Sequence, residues 1–348
     1  MITLKMSTGL GRLIRADDVS TLGDSSYKAM VDAIEAADWG RAGELAPYVH
    51  HEMRAMTAIY TTWCGDMERF LRVRHGEDDR ALFIERTTSP WYDAIHHQKT
   101  GLEAQDLFTR LLDHDATNAL AYRAVPALIA AIEGRDIAAG LQCAETVRAQ
   151  GQLYQDIYTD WCWSIMSYVG RTYGEEEVAS LNRDTLLPWY KDRYDRYFAL
   201  PEEERLQLTV EGMRGHLCGP GRMGDVDVSD HGNRWVIAFD PCGSGGRMRR
   251  GDPAGGDPPH TEAPYNFGVS SKAYDWTWGR TGVCYYCAHC AFVNEQLGID
   301  TYGHPIRITE YPESRDDKCR WIIYKNVDDI PEEYYTRVGR SKPVRSRT

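Results

Sequence analysis

Apolar residues recur at Met56, Tyr60, Trp63, Met67, Phe70 and Leu71, the i, i+3, i+4, i+7 spacing of a helix with one face turned to a core. This stripe predicts a long helix over about residues 42–74, stopped near Gly76. A shorter helical segment is expected around residues 27–37 and a third after Pro90. A shift of 98 residues lays 31–92 over 129–190 without a gap, with 18 of 62 positions identical against about four expected from ordinary residue usage. Ile59-Tyr60-Thr61-Thr62-Trp63-Cys64 faces Ile157-Tyr158-Thr159-Asp160-Trp161-Cys162, Gly76-Glu77 faces Gly174-Glu175, and Pro90-Trp91-Tyr92 faces Pro188-Trp189-Tyr190. After an N-terminal segment of residues 1–25, the pattern therefore predicts a duplicated all-α domain over 26–199. Its shared Trp-Cys pair reads as core packing. The pairs His50-His51 and His96-His97 read as packing or solvated side chains, because no Glu-x-x-His motif accompanies them.

Past residue 200 the helical period gives way to short alternating runs broken by glycine and proline. After a helix from Pro201 to about Gly215, two hairpins are expected. The first turns at Asp230-His231-Gly232-Asn233, and the second pairs 305–311 with 319–324. Between them lie a long Pro/Gly loop over 251–264 and a helix over about 287–297 ending at Gly298. The predicted fold class is α+β: the helical domain, then a small antiparallel-sheet, metal-binding domain over 200–335 and a solvated basic tail over 336–348, with Arg337, Arg340, Lys342, Arg345 and Arg347.

Six of the nine cysteines fall in this second half. In Cys284-Tyr285-Tyr286-Cys287-Ala288-His289-Cys290 three thiols are spaced by three residues, which brings them together in a tight turn or on one helical face, as a thiophilic metal requires. Cys242, in the glycine turn Asp240-Pro241-Cys242-Gly243-Ser244-Gly245-Gly246, is the first choice of fourth ligand, because such a turn lets backbone approach closely. His216 and Cys218 are the competing donors, and His231 a weaker one. Cys319 alternates with Trp321 and Ile323 and is expected to be buried in its strand. Zinc suits a mixed Cys/His set in a reducing compartment. An iron–sulfur cluster is the alternative, since three cysteines two residues apart are also the spacing of bacterial cluster ligands.

Around these donors, Tyr265, Tyr274, Trp276, Trp278, Tyr285 and Tyr286 supply aromatic walls, and Arg247, Arg249, Arg250 and Arg280 handles for an anion, which suggests a small carboxylated or aromatic substrate. His289, Glu295 and Asp240 are the candidate acid/base groups. These readings give a zinc-dependent hydrolase or lyase, with a zinc-stapled protein-interaction module and an iron–sulfur redox protein as alternatives. The segment from Arg280 through Tyr324, with Cys284, Cys287, Cys290, Asn294-Glu295, Leu297-Gly298 and the run 316–324, resembles the L-2-amino-thiazoline-4-carboxylic acid hydrolase-like family. That resemblance implies hydrolysis of a small sulfur-containing heterocyclic acid, and implies no particular catalytic residue.

Composition narrows the partners. A net charge of -12 argues against a nucleic-acid partner, whose binders concentrate Lys and Arg on one face. With no signal-like start and no run of eighteen apolar residues, a cytoplasmic protein without a membrane partner is expected, acting on a small molecule and open to homo-oligomer formation.

Overall fold

A computed structural model describes residues 2–76, 82, 84–252 and 256–344; Glu77 of the predicted repeat, 253–255 of the Pro/Gly loop, and Arg345 and Arg347 of the tail lie outside them. About 60% of the chain is helical, with two small antiparallel sheets, an α+β architecture.

Helix α1 (Ser26–Glu35) begins where the Ser25 hydroxyl accepts from the Lys28 amide. Helix α2 (Trp39–His75) begins where Asp38 accepts from the Arg41 amide, and stops at Gly76, whose φ of +100° an L side chain would resist. After α3 (Val125–Glu133), helix α4 (Ile137–Tyr173) has the same 37 residues. It is capped by Asp136 through the Ala139 amide and stopped by Gly174 at φ +96°. Their start and stop signals stand 98 positions apart, as does the left-handed residue ahead of each helix, Ala37 and Arg135.

Burial separates the two helices. Helix α2 is amphipathic, with Met56, Tyr60, Trp63 and Met67 inward. In α4 every residue of 157–169 is buried, because this helix has α2 on one side and the second half of the chain on the other. The Trp163 indole N–H donates to the Gly268 carbonyl at 2.7 Å, and the Gly268 amide to Ser167 Oγ at 2.8 Å. The following segments also differ. Pro90 opens the short helix Ser89–Ile95, whereas Pro188 lies inside α5 (Glu175–Phe198), one continuous 24-residue helix.

Helix α6 (Glu202–Gly215) ties the halves through a buried ion pair, Arg214 to Glu52 of α2 at 2.8 Å. The main core runs without a break from Trp63 and Trp161 to Tyr285, Tyr286, Phe292 and Val293. The N-terminal segment, in which the sequence suggested no element, forms a hairpin of β1 (Leu4–Ser7) and β2 (Arg12–Arg15), held to α6 by Arg12–Glu211.

The second sheet has the order β3-β4-β6-β5, all antiparallel, from β3 (Asp227–Asp230), β4 (Arg234–Phe239), β5 (Ile308–Glu310) and β6 (Cys319–Tyr324). Register pairs Phe239 with Cys319, so the start of β6 lies beside the glycine turn leaving β4. That turn leads into α7 (Gly245–Arg250).

The helix expected to end at Gly298 runs on. It contains π-helical turns over Ala291–Gln296, passes through Gly298 and stops at Tyr302 before Gly303, which is left-handed. Gly298 has another use: a Cβ there would stand 2.7 Å from the His304 carbonyl and from the Ile306 amide nitrogen. The basic segment is docked rather than solvated, with Arg337 on buried Glu295, Arg340 on Asp300, and Lys342 on the Asp328 and Ile330 carbonyls. No helix among the described residues is long and apolar enough to cross a membrane.

Candidate functional site

Where α7, the cysteine turn and β6 meet the helical half, Cys242, Cys287, Cys290 and Cys319 line one cavity of about 90 Å³, together with His216, His289, Arg249 and Arg307. The glycine turn builds one wall. A Cβ on Gly243 would collide with the His216 carbonyl, and one on Gly245 with the Cys287 sulfur, so only glycine lets the turn lie this close. Cys242 Sγ accepts the Gly246 amide at 2.9 Å, and Cys284 Sγ accepts the Cys287 amide at 3.1 Å. Such N–H···S bonds lower the cost of charge on a sulfur, though for Cys284 burial outweighs this and pushes the thiol well up.

The three-cysteine motif divides. Cys287 and Cys290 face the cavity, while Cys284 packs behind them, its amide 3.4 Å from Tyr311 Oη. Cys218 lies behind the glycine turn, in a separate core, where Gly243 N–H reaches its sulfur at 3.4 Å. Cys319, expected to be buried in the sheet, opens onto the cavity because the β4–β6 register sets it beside Cys242.

Hydrogen bonding with Cys284 holds the Cys287 thiol below its ordinary value against the opposing effect of burial, and the Arg249 guanidinium adds to the lowering. Burial pushes Cys290 and Cys319 up, so these would ionise only against a compensating cation. Arg249 has its guanidinium over the Tyr311 ring at 5.2 Å. Among the described residues no three His, Cys, Asp or Glu side chains meet closely enough to grip a single metal ion; the four thiols surround a space instead.

Two imidazoles complete the wall. Burial pushes His289 down to about 4 and His216 down to about 3, so both are neutral near pH 7. The His289 Nδ1 lies 2.6 Å from the Tyr286 carbonyl and 3.5 Å separates its Nε2 from Cys290 Sγ. A carbonyl only accepts, so Nδ1 carries the proton and Nε2 presents a lone pair. His216 Nε2 contacts Tyr60 Oη at 2.5 Å, and Tyr60 Oη contacts Tyr286 Oη at 2.7 Å.

Other residues singled out in the sequence are engaged elsewhere. Glu295 is fully buried and receives the Trp278 indole N–H, the Thr309 amide and Arg337; it fastens the fold and does not line the cavity. Asp240 pairs with Arg250 and Lys318 on an outer groove that Arg280 shares. Trp276 is core, stacked on Tyr274 and Phe292. The Tyr285 ring fits against Gly170 of α4 and Gly268. Of that aromatic set Trp278 and Tyr286 reach the cavity.

Arg247 is no anion handle. It is buried among Asp156, Asp160 and Asp257, and Asp160 also meets His96 Nε2 and His260 Nε2, each at 2.9 Å. Burial alone would raise the Asp160 carboxyl, but Arg247 and His260 outweigh it and hold it well below its ordinary value. Sequence reasoning missed this network, and it also missed Tyr60 and Arg307 as site residues. The available signal was unlike residues at repeat-equivalent positions: Asp160 stands where the first copy has Thr62, and His96 where the second has Tyr194. No family model, curated protein or solved structure matches the chain.

Proposed function

We infer that the chain is an iron–sulfur protein whose cluster is held by Cys242, Cys287, Cys290 and Cys319 and serves the chemistry of a small molecule bound alongside. The observation carrying this is that four thiols from three separate segments line one cavity. A tetrahedral zinc ion, with Zn–S bonds of about 2.3 Å, would draw its sulfurs to roughly 3.8 Å from one another. A cluster bound by four thiolates occupies the centre and holds its cysteines around it. Thiols around a cavity fit the second arrangement better. The N–H···S bonds and Arg249 are also the kind of surroundings that stabilise cluster thiolates.

One zinc ion on the same donors, at the heart of a hydrolase or lyase, is the second reading; the His289 Nε2 lone pair beside Cys290 favours it, since zinc accepts mixed Cys/His sets. Purification of the full chain without oxygen, followed by metal and sulfide analysis, decides. Equimolar iron and inorganic sulfide, with visible absorption bleached by dithionite, are expected. One zinc per chain with no visible absorption would select the second reading, and a metal-free protein with every thiol titrating would overturn both.

A further inference from the structure

The thiol cavity is the last of three spaces in series. An open groove of about 490 Å³ between α2, α5 and α6 shares Arg193 and Tyr197 with a middle cavity of about 100 Å³, which in turn shares His216, His289 and Arg307 with the thiol cavity. The middle cavity is walled by tyrosines, tryptophans and aliphatic side chains, and among the described residues no Asp or Glu lines it. Two guanidiniums do.

Arg307 lies over Trp321 at 4.3 Å, donates from Nε to Asn294 Oδ1 at 2.8 Å and from Nη2 to Tyr194 Oη at 3.3 Å. Among the described residues it has no carboxylate partner, and its Nη1 has no hydrogen-bond partner. A half-buried cation fixed by neutral groups, with donors left over, is built for an anion brought by a ligand. Arg193, likewise without an ion pair among the described residues, stands where groove and middle cavity join. Arg247 and Arg214 in the core are answered by carboxylates; Arg249, which like Arg307 has no ion pair among the described residues, lies over Tyr311 beside the thiols instead.

The geometry points to a small monocarboxylate with a flat apolar body as the ligand, entering past Arg193 and seated with its carboxylate on Arg307. This names the substrate class of the site read above as a cluster site, and rests on that reading for what happens to the ligand, though not for its binding. Size fits: the middle cavity alone is smaller than the hole of about 150 Å³ that admits benzene, and the groove of about 490 Å³ that meets it at Arg193 supplies the remaining room, so the thiol cavity is left to the cluster. Once seated, the ligand has the Tyr286–Tyr60–His216 chain of hydrogen bonds on one side and the thiols on the other.

The test is titration of the purified full chain with benzoate and with benzamide, its neutral counterpart, read by calorimetry, in the protein as isolated and in Cys290→Ser. Benzoate is expected to bind both forms and benzamide at least about tenfold more weakly. Arg307→Met should lose about tenfold or more in benzoate affinity, Arg307→Lys should recover part of it, and Arg280→Met should change nothing. Equal binding of the two probes, no benzoate binding in either form, or unaltered affinity in Arg307→Met would overturn the assignment. Benzoate binding that survives in a protein found to hold no metal would leave this inference standing while the cluster reading falls.

Discussion

The chain buries two groups of thiols, and they are opposites. Cys64 and Cys162 meet at 3.5 Å between α2 and α4, fully enclosed in the main core, and burial pushes the Cys64 thiol well up. Cys242, Cys287, Cys290 and Cys319 stand around a space, with arginines and imidazoles in its walls and an amide donating to Cys242 sulfur. Proximity of sulfur to sulfur is therefore a poor guide to chemistry. What marks a site is provision for negative charge, and only the second group has it.

Replacing Cys287 or Cys290 by serine should abolish bound iron, while Cys64→Ser and Cys162→Ser keep it; iron per chain reads the difference, and iron retained by both of the first pair would erase the contrast. Next in size is Asp160→Asn, which strips a buried carboxylate from Arg247 and should cost about 3 kcal/mol in denaturant unfolding.

The same residue yields a pH test. Its folded carboxyl lies below the unfolded value of about 3.9, so its stabilisation is present above that pH and lost as pH falls through the folded value. Wild type should accordingly lose stability more steeply than Asp160→Asn in acid below about pH 4.

A smaller effect is expected from Gly245→Ala. Its methyl would press on the Cys287 sulfur, so iron content should fall in part with the helical signal intact. Smallest is Cys64→Ala, a modest loss of core volume that should cost about 1 kcal/mol and leave iron unchanged. A larger iron loss in Cys64→Ala than in Gly245→Ala would reverse the comparison between the two groups.

The pattern of the chain announced its local structure better than its contacts. Gly76, with Gly174 at the equivalent repeat position, marked the ends of the long helices because a stop acts within a few residues; the start expected near residue 42 lies instead at Trp39, where Asp38 caps the helix. The hairpins of the second sheet were equally plain from alternation and turn residues. Which cysteines would face one another was not, because that depends on strand register: Cys319 reaches the cavity only through the pairing of β6 with β4. Gly298 misled for a related reason. Its role is to let the 304–306 backbone pass close by, a requirement set by the tertiary packing, and a local stop signal looks the same in sequence. Arg247, Arg249 and Arg307 are alike on paper. In the fold one is locked among aspartates, one stands by the thiols and one has donors to spare.

Helix α4 also sets an order of events. The chain is made from its N-terminus, so α4 is complete well before residues 247–292 have been synthesised. Until they are, the face of α4 carrying Trp163, Ser167 and Gly170 lacks its partners Gly268 and Tyr285, and Asp160 has His96 but neither Arg247 nor His260. The first two hundred residues thus wait on the ribosome with an aromatic, partly charged surface exposed. A stop codon near residue 200 would release a fragment in that same state, a ready client for chaperones and proteases rather than a free-standing helical domain.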